Sequence, residues 1–484
     1  MADSNALLRD VLAAPEDLDR RRVYADLLIA EGDPRGTFIA QQIALRDRTP
    51  LDDDFPELHA STERLRARHE AGWVRPQLEH LRIDTSSYHR IELSPTLNAR
   101  FVDGFLSRIA MGPEDLDARF DEITRTEPIQ GVELLLPGPL GFGPHPVASR
   151  WRELKLTSDD WSTSFDLAQV LHWDLTSLEA LDVSGLDLRT DGMSMLANEE
   201  TNLGDFFEEY TPPPPLRDGQ LRELRVFACA LGDEGLEILA RMPALRPTHL
   251  DLGQNRITSI DAVRLLCTER FDELVSLGLT GNNAIGPALG ALGGWAVLGR
   301  LAHLTVPQTT TPEAFGALFP MPSEHLRELD ASAGKALLAA PERVANASTC
   351  WTRLNLGTTR LEDRGVDALL AVPSTRTLVE IALNGCSLTD AAVRRLCSLE
   401  RLVRIDLSSN KLTDAGLQAL AEAPFLGTLA SLRIGNNRKV TAAGYQALID
   451  APGFDPAVLD VGKIGDEGLE AALRERFGGA VVIR

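Results

Sequence analysis

Histidine and cysteine are the side chains in this sequence whose chemistry would suit metal binding or catalysis. Of the nine histidines, His249 and His303 each come directly before a leucine of an alternating, strand-like segment. If they lie on stacked strands two repeats apart, about 10 Å separates them. A single metal binds its ligands at about 2 Å, so this pair does not predict a shared site and we expect no bound metal.

Sequence motifs of known catalytic chemistry are also missing. The chain has no nucleophile elbow, phosphate-binding loop, zinc-finger spacing or H-E-x-x-H. Its five cysteines are scattered without C-x-x-C spacing, which is typical of reduced thiols rather than of a disulfide framework. The sequence therefore predicts no catalytic residue, no cofactor and no enzymatic activity.

A leucine ladder recurs through most of the chain. The segment LVRIDLSSNKLTDAGLQALAEAP begins at Leu402, and LRELRVFACALGDEGLEILARMP begins at Leu221. Their shared frame is L-x-x-L-x-L-x-x-N/C-x-L-x-D-x-G-L-x-x-L, which returns every 24 to 27 residues from Leu224 onward. The second leucine-like position, here called the marker, falls at Ile109, Val132, Leu154, Leu181, Leu224, Leu250, Leu277, Leu304, Leu329, Leu354, Ile381, Ile405, Leu432 and Leu459, with a last strand expected around Ile483.

The two halves of each repeat have different periodicities. The L-x-L alternation predicts a strand with one buried face, and D-x-G-L-x-x-L has helical spacing. Stacked strands lie about 4.8 Å apart whereas neighbouring helices need about 10 Å, so the stack is expected to bend with its sheet inside. The predicted fold class is α/β, a solenoid or horseshoe with a concave parallel sheet and convex helices, preceded by an all-helical N-terminal cap.

Polar residues at fixed positions of the repeat are predicted to satisfy the free backbone groups at the helix starts and after the strands. Acidic residues at the expected helix starts would cap free N–H groups, unless the preceding Thr389 or Thr413 is the N-cap and the aspartate lies in the first turn. These acidic residues are Asp233, Asp363, Asp390, Asp414 and Asp466. A second column, expected to bond buried backbone groups after each strand, consists of Asn255, Asn282 and Asn410, with Cys229 and Cys386 as core-packing replacements.

This ladder resembles the long-repeat leucine-rich-repeat proteins, the class that includes ribonuclease inhibitor and the GTPase-activating protein of Ran. The resemblance covers roughly residues 101–484. It implies the horseshoe fold and says little about function, because one fold hosts many functions.

Residues 1–82 lack the ladder and are predicted to be helical. The string RRRVYADLLIAEGDPRGTFIAQQIAL resembles the short repeat-companion domain that precedes repeats in myxobacterial and planctomycete proteins, which implies a bacterial source and no known activity. The segment is expected to cap the open end of the solenoid, or alternatively to be a docking module, with Asp26 and Arg35 as a candidate ion pair. The expected domains are therefore residues 1–82 and a repeat domain over 83–484.

The concave face is the candidate binding surface. Side chains beside each marker would point into it, and acidic residues outnumber Lys and Arg there. Phe227 is a candidate aromatic anchor, with packing against the neighbouring loop as the equal alternative. The candidate partner-binding residues of this face are Asp182, Glu223, Arg225, Phe227, Asp251, Glu328, Asp330, Arg353, Asp406 and Arg433.

One insertion breaks the rhythm at about 199–218. It combines Phe206, Phe207 and Tyr210 with acidic neighbours, followed by the four prolines 212–215; these neighbours are Glu199, Glu200, Asp205, Glu208 and Glu209. A proline run is stiff and extended, and long loops on repeat arrays often carry binding, so these aromatics are a second set of candidate contacts. The alternative is a mobile excursion.

The formal net charge of -22 limits the choice of partner. It argues against nucleic acid and anionic membrane surfaces, and favours a protein partner with a basic surface, although solubility alone would also explain it. No run approaches the roughly 20 apolar residues of a membrane helix and no secretory signal is present, so a cytoplasmic location is expected. The sequence thus predicts a protein-binding scaffold, with a small-GTPase activator or a structural subunit of an assembly as alternatives; the oligomeric state stays open.

Overall fold

A computed structural model describes residues 4–78, 99–112, 116, 120–136, 146–158, 170–197 and 216–483. The chain forms two compact units. The first consists of residues 1–43 and 70–284, and the second of residues 44–69 and 285–484. Each unit takes part of the first 82 residues, and the domain division at residue 82 remains a prediction.

The first unit combines N-terminal helices with a sheet of eight strands. Its helices begin with α1 (Ser4–Ala13), α2 (Leu18–Glu31) and α3 (Pro34–Arg46), the last of which ends beyond the unit. The strands are β1 (Ala99–Val102), β2 (Phe105–Met111), β3 (Gly131–Leu136), β4 (Glu153–Ser158), β5 (Ala180–Asp182), β6 (Leu221–Arg225), β7 (Leu245–Asp251) and β8 (Ser276–Gly278). The repeat helices are α5 (Arg189–Leu196), α6 (Gly232–Arg241) and α7 (Ile260–Arg264).

The second unit continues the same pattern with eight more strands. They are β9 (His303–Thr305), β10 (Glu328–Asp330), β11 (Arg353–Asn355), β12 (Glu380–Ala382), β13 (Arg404–Asp406), β14 (Ser431–Arg433), β15 (Val458–Gly462) and β16 (Val481–Ile483). Its repeat helices are α8 (Pro312–Leu318), α9 (Pro341–Ala345), α10 (Glu362–Leu370), α11 (Asp390–Leu396), α12 (Asp414–Ala421), α13 (Ala442–Asp450) and α14 (Glu467–Phe477). The fourth helix in chain order, α4 (Phe55–Leu78), is called αN below; its residues up to His69 belong to this second unit.

Strand register follows the leucine ladder. Within each unit, successive repeat strands pair in parallel, as in Leu224 with Leu250 and Ile381 with Ile405. The markers are buried, and so is the apolar residue two positions after each of them. Side chains that alternate along a strand point to opposite faces, so one face of every strand contributes to an aliphatic core under the helices.

The predicted α/β solenoid with helices at its N-terminus is confirmed. Two details differ at the ends of the ladder. Strand β1 pairs antiparallel with β2 as a hairpin that the repeat frame did not predict. The final strand is present, but Val481 pairs with Leu459 and so takes the marker position expected for Ile483. A register shift after Asp460 then pairs Ile483 with Gly462.

The helical half of the repeat is not uniform. The segments Gly286–Leu292 and Ala296–Gly299 form 3-10 turns where the repeat frame predicted a helix. The sequence there, GPALGALGG, is rich in glycine and contains proline, both of which disfavour an α-helix interior. Longer helices, such as α6 and α14, occur where the D-x-G-L pattern is intact.

Candidate functional site

The exposed surface of the sheet is formed by the residues directly before and after each marker. In β10, β12 and β13 the marker is buried and both flanking residues are partly exposed. This surface is called the strand face below. It carries nine of the ten residues predicted for the binding surface, and the tenth, Phe227, lies two residues after the end of β6.

Aspartates that follow the markers hold the turn at the end of their strands. The Oδ1 atom of Asp406 accepts the backbone N–H of Ser408 at 2.9 Å, and Asp330 accepts that of Ser332 at 2.9 Å. Asp182, Asp251 and Asp460 make the same bond with the residue two positions on. These aspartates therefore have a structural role, and all of them except the buried Asp460 also present a negative charge at the surface.

Residues before the markers form a ladder of opposite charges in the second unit. Arg353 lies 3.8 Å from Glu328 and 3.3 Å from Glu380. Arg404 lies 3.4 Å from the same Glu380. The arginines of this column are thus neutralised by neighbouring strands, which the sequence columns alone did not show.

In the first unit the alternation continues with weaker pairs. Arg225 lies 3.8 Å from Glu223 on its own strand, and the register places it between Asp182 and Asp251. His249 hydrogen-bonds through Nδ1 with Thr248 Oγ1 at 2.9 Å and lies 3.8 Å from Glu223.

Phe227 packs against the next repeat. A Cβ atom on Gly253 would lie 2.6 Å from the Phe227 ring, so the ring rests directly on that glycine. Phe227 remains partly exposed. Packing against the neighbouring loop, one of the two interpretations of this residue, is what the structure shows; the exposed part of the ring could still contact a partner.

The asparagine column joins successive repeats inside the core. Asn255 Oδ1 accepts the N–H of Cys229 at 2.9 Å, and Asn255 N–H donates in turn to Asn282 Oδ1 at 3.0 Å. In the second unit, Asn410 accepts from Cys386 and donates to Asn437. Asn437 was missed at the sequence level, although its spacing from Leu432 fits the frame.

For Thr389 and Thr413 the structure confirms the alternative in which the threonine is the N-cap and the aspartate lies in the first turn. Asp390 does not cap its own helix, because Thr389 is the N-cap of α11. Instead, Asp390 accepts the N–H and Oγ1–H of Thr413, the N-cap of the next repeat, at 2.8 and 2.6 Å. The same bond, here called the Asp–Thr staple, joins Asp233 to Thr258, Asp363 to Thr389 and Asp414 to Thr441. Asp466 alone of the five acts as its own helix N-cap.

The staples affect acid titration. Desolvation alone would raise the pKa of Asp414, but the hydrogen bonds from Thr441 outweigh it and lower the pKa below its ordinary value. The pKa of Asp233 is lowered in the same way by Thr258 and Ser259. The staples are therefore strongest with ionised carboxylates.

Both column cysteines are core residues. Cys229 Sγ donates to the Val183 carbonyl at 3.1 Å, and Cys386 Sγ to that of Leu356 at 3.2 Å. Burial raises the pKa of Cys229 to about 12 and also raises that of Cys386, which disfavours a reactive thiolate. In the described part of the chain, no group of three or more His, Cys, Asp or Glu is placed to hold a metal ion.

The segment Ala44–His69, called the strap, packs on the second unit beside its strand face. Phe55 and Ala60 contact a row of small apolar residues that precede successive strands, namely Val379, Val403, Ala430 and Ala457. Arg401 donates to the carbonyls of Pro50 and Asp52 at 2.9 and 2.6 Å. Glu63 of αN pairs with Arg404 at 2.9 Å, so the charge ladder of the strand face ends in the strap.

Arg433 stands apart from the other arginines of the strand face. It is exposed, and no ion pair or hydrogen bond involves its side chain within the described ranges. Together with Asp406, Asp460 and Lys463 it lines a depression of about 250 Å³ at the ends of β13–β15.

The predicted loop contacts cannot be placed. Phe206, Phe207 and Tyr210 lie outside the described residues. Among the helices that are described, none is both long and apolar enough to cross a membrane.

Comparisons with known proteins agree with the repeat architecture. A family described as "Leucine Rich repeat" matches residues 402–421, which contain β13 and α12. The match covers a single repeat, and it supports a leucine-rich-repeat protein together with the repeated strands and the asparagine column. No curated protein sequence matches it.

Two solved structures are similar to this chain at low identity. The structure of the Rad7 and Elc1 complex from yeast has 15% identity, covers 92% of this chain and 90% of its own, and gives a TM-score of 0.43. An internalin, inlF, from Listeria monocytogenes has 14% identity, covers 79% of this chain and 96% of its own, and gives a TM-score of 0.32.

Proposed function

We propose that this protein is a non-enzymatic scaffold that binds a protein partner through its strand face. The residues that are constant from repeat to repeat are used inside the fold, by core packing, the asparagine column and the Asp–Thr staples. The strand-face residues differ between repeats, and most of them are at least partly exposed. Variable exposed side chains on a rigid sheet can encode recognition without disturbing the fold.

The observation that carries this proposal is the uncompensated charge of three strand-face aspartates. Asp182, Asp330 and Asp406 receive hydrogen bonds only from neutral groups, such as Ser184 N–H and the Asn355 amide. In the described part of the chain no Lys, Arg or His forms an ion pair with them. Basic groups of a partner would satisfy these charges, in keeping with the overall charge of -22.

The test is a triple substitution that removes charge while keeping the turns. In D182N/D330N/D406N the amide oxygen can still accept the N–H two residues on, so folding should be retained. Proteins captured by the wild-type chain are identified by mass spectrometry, and their affinities are then measured with the purified pair. We expect the triple variant to bind the partner roughly tenfold more weakly, with the largest loss at low salt.

The matched control removes three exposed acidic charges from the helix side instead. In E237Q/E342Q/E422Q all three positions are exposed and lie at α6, α9 and α12. This variant should bind the partner like the wild type. A D182N/D330N/D406N protein that keeps full affinity would rule out the strand face as the acidic binding surface.

We further infer the finer class of the protein. The repeat length and the stapled D-x-G-L half support a ribonuclease-inhibitor-like leucine-rich-repeat domain over residues 83–484. The string RRRVYADLLIAEGDPRGTFIAQQIAL, which forms α2 and most of α3, supports a repeat-companion domain of bacterial type over residues 1–82. A cytoplasmic location fits the reduced cysteines of such a protein.

A further inference from the structure

Lysine is rare in this protein and unevenly placed. The chain has only five lysines, and three of them, Lys411, Lys439 and Lys463, fall within the last repeats. The structure places all three on the loops that leave β13, β14 and β15. Arg438 lies on the same loops, and Arg433 lies at the end of β14. These five cations are called the basic rim.

Parallel register brings the members of the rim close together. The strands β13, β14 and β15 are direct neighbours, so equivalent loop positions lie about 4.8 Å apart per strand. Lys411 and Arg438 occupy the same position, six residues after their markers. The rim therefore concentrates positive charge over roughly 10 Å of a chain whose net charge is -22.

All five cations are exposed and available. Each side chain is exposed, and within the described residues none makes an ion pair or hydrogen bond. By contrast, Arg353 and Arg404 of the neighbouring strands are held by glutamates. Charges of one sign left unpaired side by side repel each other, which an opposite charge from a ligand would relieve.

The rim borders two depressions that share Asn436. The first is the depression of about 250 Å³ that contains Arg433 and Lys463. The second has a volume of about 610 Å³ and is lined by Ser409, Asn410, Lys411, Asn436, Arg438 and Lys439. No carboxylate lines the second depression, and the Asn436 amide and Ser409 hydroxyl add neutral donors beside the cations. Such a donor set suits carboxylates.

We propose that the basic rim is a docking site for an acidic segment of the protein partner, a stretch of consecutive Glu and Asp residues bound in extended form across the loops after β13–β15. An extended chain advances about 3.3–3.6 Å per residue, so three to four residues span the rim. Aspartates Asp406 and Asp460 face the first depression and hold backbone N–H groups, so the second depression takes most of the segment's charge. This inference rests on the proposed protein-binding function and adds the chemistry of one part of the partner.

The direct test uses the full chain and a fluorescein-labelled octaglutamate peptide. Binding is followed by anisotropy at about 0.1 M salt, where the long-range repulsion from the rest of the chain is largely screened. We expect octaglutamate to bind at least tenfold more tightly than the uncharged octaserine, and its affinity to fall as salt rises. The variant K411E/K439E/K463E should bind octaglutamate at least tenfold more weakly than the wild type, and K411Q/K439Q/K463Q should show an intermediate loss.

The matched control reverses three exposed arginines on the helix side of the same unit. R364E/R376E/R394E changes the net charge equally but lies on α10, on the turn Pro373–Thr377 and on α11. It should bind octaglutamate nearly as well as the wild type. Equal loss in the control would show that net charge and not the rim governs binding, and would overturn the proposal, as would wild-type protein that does not prefer octaglutamate.

A nucleic acid is a second polyanion that the basic rim could bind in place of an acidic protein segment. The same anisotropy assay distinguishes the two ligands. A labelled oligothymidine of eight nucleotides is compared with octaglutamate. Tighter binding of the oligonucleotide, lost in K411E/K439E/K463E, would overturn the assignment to an acidic protein segment.

The partner-capture experiment separates this inference from the proposed function. If D182N/D330N/D406N loses the partner while K411E/K439E/K463E keeps it at full affinity, the scaffold function stands and the rim inference fails. If neither triple variant affects any captured protein, both fail. Loss in both variants, with an acidic stretch in the partner whose deletion matches the rim variant, supports both.

Discussion

The N-terminal segment is anchored in the two units by different chemistry. In the first unit, α2 and α3 hold the β1–β2 hairpin through buried charges: Arg35 pairs with Glu127 at 2.7 Å, and Arg21 with Asp103 at 3.6 Å. Both guanidinium groups also lie about 5 Å from the ring centre of Phe105. In the second unit, the strap relies on Ala60 and Phe55 against small apolar residues, with arginine bonds to backbone carbonyls at its margins.

The two kinds of anchoring differ in how much free energy is lost when one member of a contact is removed. Glu127 is almost fully buried and accepts both Arg35 Nη2 contacts and the Leu106 N–H. Desolvation raises the pKa of Glu127 in spite of Arg35. A buried pair of this kind contributes little as a whole but costs much when half of it is removed. The strap's contacts are many and individually small, so each is easier to lose.

The largest effect is expected from breaking the Arg35–Glu127 pair. The substitution E127A leaves a buried guanidinium and the Leu106 N–H without their acceptor, and should lower the free energy of unfolding of the first unit by about 3–5 kcal/mol. Urea unfolding followed by near-UV circular dichroism measures it.

A double variant sharpens this prediction. In R35M/E127Q the glutamine can still accept the Leu106 N–H and no unpaired charge remains, so the double variant should be more stable than E127A. The exposed substitution E122A serves as the control and should change stability by less than about 0.5 kcal/mol. A double variant as unstable as E127A would mean that the ion pair itself, and not the orphaned partner, stabilises the fold.

The second effect concerns the strap. The substitution A60D places a carboxylate against Val403 and Ala430, which should weaken strap docking by about 1–3 kcal/mol. A detached strap exposes Arg64 and Arg66 of αN, which are only partly exposed when it is docked, so limited trypsin digestion should cleave there faster while the rest of the second unit stays intact. The same substitution at the exposed Ala67, A67D, is the control. Equal cleavage rates for A60D and A67D would contradict apolar anchoring of the strap.

The repeat strands and their core could be predicted because every repeat has the same spacing of apolar residues. All fourteen markers from Ile109 to Leu459 lie in strands, and the periodicity of 24 to 27 residues carries that information locally. The contacts of the N-terminal segment could not be predicted from the sequence, because they join residues that are far apart in the chain. The expected partner of Arg35 was Asp26, which is exposed, whereas the structure pairs Arg35 with Glu127, ninety-two residues away.

The strand face was predicted in position but not in charge pairing. Sequence columns placed Arg353 and Glu328 side by side, yet whether their ends meet depends on register and side-chain length. The left-handed backbone conformation of the turns after the strands could not be predicted from the sequence either. A left-handed residue precedes the buried column in most repeats, and at Thr358, with φ of 57°, it is β-branched, a residue type that avoids this region. Neighbouring strands must impose this conformation, and no local pattern reveals it.

The smallest effect expected is a pH dependence of the strap, which would distinguish its anchoring from that of α2 and α3. His59 packs against Phe55, and its buried Nδ1 has no hydrogen-bond partner in the described residues. Burial lowers the pKa of His59 below its ordinary 6.5, and Arg404 and Arg66 lower it further, while Glu63 and Glu380 partly oppose them. Docking therefore favours neutral His59, and its free energy is present above pH 6.5 and lost as the pH falls from there towards the lowered value.

Trypsin cleavage of αN should consequently speed up between about pH 7.5 and about pH 5.5, by less than the A60D effect, after correction for the enzyme's own pH dependence with an unfolded substrate. The pKa of Glu63 is held below its ordinary 4.5 by Arg66 and Arg404 against the desolvation that would raise it, so Glu63 does not titrate in this window. H59Q removes the titrating group and should abolish the acceleration. An H59Q protein that keeps the pH dependence would assign it to another group.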